Sequence, residues 1–174
     1  MSSPASVRGS RETAADVIAL LTARQQTVAA AESLTGGLVA AALTDIPGAS
    51  AVFRGGIVAY ATDLKAVLLG VDRAVLDACG AVSPDVAAAM AQGACSRLGA
   101  TFGVATTGVA GPDPAEGKPA GTVYIAVSAG HLATSARRGT QVRRLALAGS
   151  RDRIRRGTVA EALALLLETA REET

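Results

Sequence analysis

The chain has 174 residues, 49% hydrophobic and 18% charged, with a formal net charge of +2. That length buries a sizeable core without disulfides or metals, and the composition is globular rather than disordered. The weak net charge and only four aromatics (Phe53, Tyr60, Phe102, Tyr124) argue against nucleic acid as a partner, and no apolar run reaches the roughly 18–20 residues that span a bilayer.

The opening MSSPASVRGSRET lacks the apolar stretch of a secretory signal, so a cytoplasmic location is expected. Ser10 is placed to cap a first helix over about 11–25, whose apolar face includes Ala15, Ile18, Leu20 and Leu21. A short strand, 27–31, runs into Glu32-Ser33-Leu34-Thr35-Gly36-Gly37 and then a second helix to about Thr44. The run 51–60 reads as a strand interrupted by Gly55-Gly56. Thr62 is placed to cap a short helix that carries Lys65 and stops near Gly70, and Asp72 to cap another to about Cys79. Ser83-Pro84-Asp85 is a strong helix start: a capping hydroxyl, proline at the first helical position and an acid in the first turn. That helix runs to about Leu98, with Gly99 as its stop. A buried strand over 101–106 opens into a long loop, 108–119, and three strand-like runs follow at about 121–128, 131–138 and 142–147. Ser150 caps a last helix to about Glu168. Helices and strands alternate early and strands run consecutively late, which predicts an α/β fold with a mixed sheet, parallel first and antiparallel after. One domain is expected over 1–174, with loose tails at about 1–10 and 169–174.

The scarce residue types narrow the chemistry. Two cysteines, Cys79 and Cys95, and one histidine, His131, give none of the short ligand spacings of a zinc site. Both cysteines sit in Ala-rich helical patterns and read as buried core thiols. His131 reads as a surface residue at a hairpin turn. A base for nucleophilic chemistry is therefore expected not to be histidine. Of 17 basic residues only Lys65 and Lys118 are lysines. Burial can tune lysine into a base, whereas arginine stays protonated.

Four segments have the form of site-builders, each with a plainer reading beside it. Ser33 lies where a strand meets a helix start, a junction at which backbone N–H groups can face an oxyanion or phosphate; the same residues would also make a capped helix with glycines for close packing. Tyr60 and Lys65 fall at the end of one strand and one turn into the next helix, so both can reach the sheet edge that holds Ser33. Leu64, Val67, Leu68 and Leu69 could desolvate Lys65, or the lysine could reach out to water. Thr106-Thr107-Gly108 follows a buried strand and opens the long loop, where open α/β sheets bind ligands. Lys118 in that loop reads as solvated. Arg151 and Arg155, four apart at the start of the last helix, share a face and could fork onto a phosphate, with Asp152 offsetting their charge.

Taken jointly, AESLTGG, GGIVAYATDLKAVLLGV, GAVSPDVAAAMAQGA, TTGVAGPD with KPAGTVYIAV, and GSRDRIRR resemble the CinA C-terminal domain family, from about Val28 to Leu167. That family contains metal-independent nicotinamide-nucleotide amidohydrolases, which convert nicotinamide mononucleotide (NMN) to nicotinate mononucleotide and ammonia. The resemblance implies a three-layer α/β/α sandwich, usually oligomeric, needing no cofactor and acting on a small-molecule nucleotide. It implies Ser33 as nucleophile and Lys65 as its base, with Tyr60 beside them. Thr35, Gly36, Thr107, Gly108, Arg151 and Arg155 then become substrate contacts, with backbone N–H groups near Gly36 or Gly108 for the oxyanion. Two departures stand out: Leu34 occupies a position where the family commonly has cysteine, and the family's GPDGG loop is GPDPAEG here. Larger members carry an N-terminal molybdopterin-binding-like domain, with no counterpart in these residues. A module of the same fold that binds nucleotides without turning them over is the rival reading.

Overall fold

In this computed structural model, which describes residues 9–130 and 139–172, the strands form one open sheet. In chain order they are β1 (Val28–Glu32), β2 (Phe53–Val58), β3 (Phe102–Gly108), β4 (Thr122–Ala129) and β5 (Thr140–Ala146), arranged 2-1-3-4-5 across the sheet. β1 pairs in parallel with β2 and β3, whereas β3–β4 and β4–β5 are antiparallel. This is the expected mixed sheet. β2 runs through Gly55-Gly56 without a break; the irregularity lies in its register with Val28 and Ala29.

The helices are α1 (Ser10–Ala23), α2 (Leu38–Thr44), α3 (Thr62–Leu69), α4 (Arg73–Cys79), α5 (Pro84–Leu98) and α6 (Arg151–Glu172). Strand alternation divides the core between the two faces. Val28, Ala30, Phe102, Val104, Val123, Ile125 and Val127 point to one side, where α1, α2 and α6 cover them. Ala29, Ala31, Ala105 and Ala126 point to the other, against α5 and its neighbours α3 and α4. The first face is stabilised by large side chains, each worth about 1.5–3 kcal/mol when fully buried. The second is built for close approach: a Cβ at Gly103 would lie 2.1 Å from the carbonyl oxygen of Ala91 on α5. Together the layers make the three-layer α/β/α sandwich.

Several element ends differ from expectation. Gly9 and Ala61, not Ser10 and Thr62, precede α1 and α3, and neither helix start has a side-chain cap. Asp72 and Ser83 do cap, accepting from Ala74 N–H and Val86 N–H, and Ser150 Oγ accepts from Arg153 N–H. α6 continues past the expected stop to Glu172, and its buried face continues with it through Thr169 and Ala170. Cys95 is buried as expected, but Cys79 ends α4 half-exposed, with Sγ 3.8 Å from an Asp85 oxygen. His131 and the strand expected over 131–138 lie outside the described residues.

Candidate active site

β1, β2 and the parallel face of β3 all end at one edge, with Glu32 in register with Val58 and Thr106. Ser33 is the first residue beyond β1, and its N–H extends the ladder by one bond to the carbonyl of Thr106 at 3.0 Å. Alternation then sends Glu32 and Ser33 to opposite faces. Glu32 turns under the start of α2, where its carboxylate accepts from the N–H groups of Gly37 and Val39 at 3.0 Å and Ala40 at 2.8 Å. Ser33 turns toward α3.

That arrangement corrects one expectation. The helix-start N–H groups behind the serine are already taken: three by Glu32, that of Gly36 by the Ser33 carbonyl, and that of Leu38 by the Thr35 carbonyl. The physical reason is local, since an orphan donor in a buried turn draws the nearest carboxylate. A donor is available across the cleft instead. Val109 N–H and Val109 C=O both bond toward β4, so alternation along β3 turns the Gly108 N–H toward the space beyond β1, where Ser33 sits.

Lys65 is one turn into α3 and only 1% exposed. Its Nζ lies 3.0 Å from Ser33 Oγ, donates to the Ala59 carbonyl at 2.8 Å, and approaches the Tyr60 carbonyl at 3.5 Å. Burial lowers its pKa from 10.5 to about 8, opposed by the negative charge of Glu116. A neutral amine here has two N–H bonds and one lone pair. With the two carbonyls taking the N–H groups, the lone pair is left for Ser33.

A cleft of about 250 Å³ opens above this pair, lined among others by Ser33, Tyr60, Lys65, Thr107, Gly108 and Arg151. The Tyr60 phenol is hydrogen-bonded to neither Ser33 nor Lys65. It is 58% exposed at the rim, where its Oη accepts from Arg151 Nη2 at 2.8 Å while Arg151 Nη1 donates to the Gly111 carbonyl at 2.9 Å. Arg151 thus straps α6 across the cleft mouth to the long loop and to the end of β2. Thr107 Oγ1 donates to the Ala81 carbonyl at 2.7 Å, fixing the cleft floor.

Thr35, Gly36 and Arg155, also expected at the site, do not line this cleft. Thr35 is fully buried with Oγ1 2.7 Å from Thr106 Oγ1. Arg155 donates to the carbonyls of Leu34 and Thr35, each at 2.9 Å, and so buttresses the serine turn from behind. Arg151 and Arg155 therefore do not converge on one ligand. Leu34 is buried in the apolar core of the α1–α2–α6 side while its carbonyl takes the Arg155 bond.

Sequence reasoning missed Glu32 and Glu116. The signal for Glu32 was slight: a carboxylate between a strand and a helix start, whose free N–H groups favour negative charge. Glu116 accepts from the N–H groups of Ala81 and Val82, both at 3.0 Å, and lines the cleft. Its signal was the Glu116-Gly117 pair inside the long loop. Among the described residues, no group of three or more His, Cys, Asp and Glu side chains is placed to hold a metal ion. None of the helices among them is long and apolar enough to cross a membrane.

The profile of the CinA C-terminal domain matches residues 10–170. A CinA-like protein of Frankia casuarinae is 56% identical over 150 residues, covering 86% of this chain and 33% of that protein. Another from Anaeromyxobacter dehalogenans is 49% identical over 151 residues, with 86% and 35% covered. The chain thus spans about a third of the length of these curated relatives. Among solved structures, the competence damage-inducible protein A of Klebsiella pneumoniae superposes with a TM-score of 0.89 at 32% identity, covering 96% of this chain and all of that one. A competence/damage inducible protein of Agrobacterium tumefaciens superposes at 0.85 with 38% identity, covering 97% and 98%.

Proposed function

The chain belongs to the CinA C-terminal domain family, and from that premise we propose that it hydrolyses the carboxamide of NMN through Ser33 and Lys65. The observation that carries the proposal is the contact between Ser33 Oγ and a buried Lys65 Nζ at 3.0 Å. A binding module needs no nucleophile beside an amine whose pKa is drawn down to about 8. At pH 7.5 a lysine with that pKa is roughly one-quarter neutral, against about 0.1% for an ordinary one.

In the proposed reaction the neutral Lys65 amine takes the Ser33 proton as Oγ attacks the carboxamide carbon. The carbonyl π bond opens to an oxyanion, which the Gly108 N–H is oriented to receive. The oxyanion then collapses, the C–N bond breaks, and the Lys65 ammonium supplies the proton with which ammonia leaves. Water, deprotonated by the same amine, cleaves the ester to give the carboxylate and restore Ser33. Arg151, at the cleft mouth, is the group we assign to the nucleotide phosphate.

Two measurements test the base. kcat/KM for NMN should climb with pH through an apparent pKa of about 8 as Lys65 loses its proton. Lys65→Arg keeps the charge and removes the base, so ammonia release should vanish. Undiminished turnover by that variant would remove Lys65 from the chemistry.

A further inference from the structure

The long β3–β4 loop carries the segment GPDPAEG, which turns back on itself and bonds to the connection ahead of α5. Ala115 and Lys118 exchange both backbone hydrogen bonds, at 3.0 and 2.9 Å, around the two-residue turn Glu116-Gly117. Both central residues have positive φ, 51° at Glu116 and 69° at Gly117, as a type I′ turn requires. Glycine, asparagine and aspartate are the usual residues there, and glutamate is not. What holds Glu116 in place is visible. Its two carboxylate oxygens accept from the adjacent N–H groups of Ala81 and Val82, and the Lys118 amine stands 4.0 Å from one of them. Ala81 is gripped from its other side by Thr107 on β3. Glu116 therefore ties the loop to the turn ahead of α5, and its negative charge lines the cleft that contains Lys65.

We propose that Glu116 is a positioning residue for the Ser33–Lys65 pair: it fastens the loop that closes one side of the cleft and fixes a carboxylate charge in the cleft that contains the base. The inference rests on the reading of Lys65 as a base, and it adds the group that balances burial. Burial alone would take the amine lower, and the Glu116 charge opposes it. The other ionisable groups around Lys65 are Tyr60 and Asp63 near it in sequence, Asp113 from the same loop and Arg151 from α6. From α5, packed against α3, Asp85 and Arg97 are exposed. It is the Glu116 carboxylate, lining the same cleft, whose charge opposes the effect of burial on Lys65.

The chain offers a direct test, because Lys65 and Lys118 are its only lysines. Lysine labelled with ¹³C at Cε gives two signals, which Lys118→Arg assigns. In the unaltered protein the Lys65 signal should titrate near pH 8. In E116Q, which removes the charge and nearly keeps the shape, its midpoint should fall by roughly half a unit or more. In E116A the midpoint should fall at least as far, and the Ala81 and Val82 amides should exchange faster with solvent. An unmoved Lys65 midpoint in either folded variant overturns the proposal. Ammonia release is measured alongside. A shifted midpoint without release from NMN would overturn the amidase reading and keep the Glu116 assignment, whereas release with an unmoved midpoint would do the reverse.

Discussion

Replacing Lys65 by methionine gives a test in which most of the unwanted effects cancel. In the folded chain the Lys65 ammonium is disfavoured, with a pKa of about 8 against 10.5 for an unperturbed lysine. Between those values the unfolded state holds a proton that the folded state has lost. Unfolding free energy therefore rises with pH, by about 1.4 kcal/mol per pH unit. Across the window the unaltered protein should gain up to about 3 kcal/mol relative to Lys65→Met. Well below pH 8 the lysine is protonated in both states, and the difference between the proteins should flatten there. The Ala59 carbonyl that loses its donor and the altered packing are independent of pH, so they offset the two curves without tilting them. The assay is urea unfolding of both proteins at one concentration, from pH 7 to 10.5. Parallel stability curves would show that Lys65 is not desolvated in the fold, and the case for it as a base would fail.

The capping role of Glu32 predicts that Glu32→Gln lowers stability by about 2–4 kcal/mol, since an amide nitrogen would face backbone N–H groups that now meet a carboxylate. Urea midpoints would check it, and a change below about 0.5 kcal/mol would contradict the cap. The two arginines should separate cleanly. Arg155→Ala should cost about 1–2 kcal/mol of stability through the lost carbonyl contacts at Leu34 and Thr35, with little change in KM. Arg151→Ala should raise KM for NMN about tenfold or more while leaving KM for nicotinamide riboside nearly unchanged, because only the former carries a phosphate. Equal effects on both substrates would take Arg151 off the phosphate.

The layers were legible because hydrophobic periodicity and turn residues agree along the chain. The short apolar runs at 27–31 and 101–106, and the Ser83-Pro84-Asp85 start, required no tertiary information. Ser33 and Lys65 were legible for a different reason: a serine at a strand–helix junction and one of two lysines among many arginines. Contacts that depend on side-chain direction were not. Nothing local says that the Tyr60 phenol turns outward to Arg151 while its carbonyl faces Lys65. The shared face of Arg151 and Arg155 was expected to bind one ligand, but the serine turn lies against α6 and captures the second guanidinium. The pairing of Glu116 with Ala81 and Val82 joins segments more than thirty residues apart in sequence. Helix ends slipped by one residue at Ser10 and Thr62, where extended backbone at Gly9 and Ala61 starts the helix without a hydroxyl.

The central claim is that Ser33 opens a carboxamide, and ammonia release from NMN by the unaltered protein and by Ser33→Ala tests it most directly. Release by the first and none by the second, with the two proteins unfolding at similar urea concentrations, is the predicted result. Equal release by both proteins would contradict the covalent route, and no release by either would return the cleft to the role of a nucleotide-binding site.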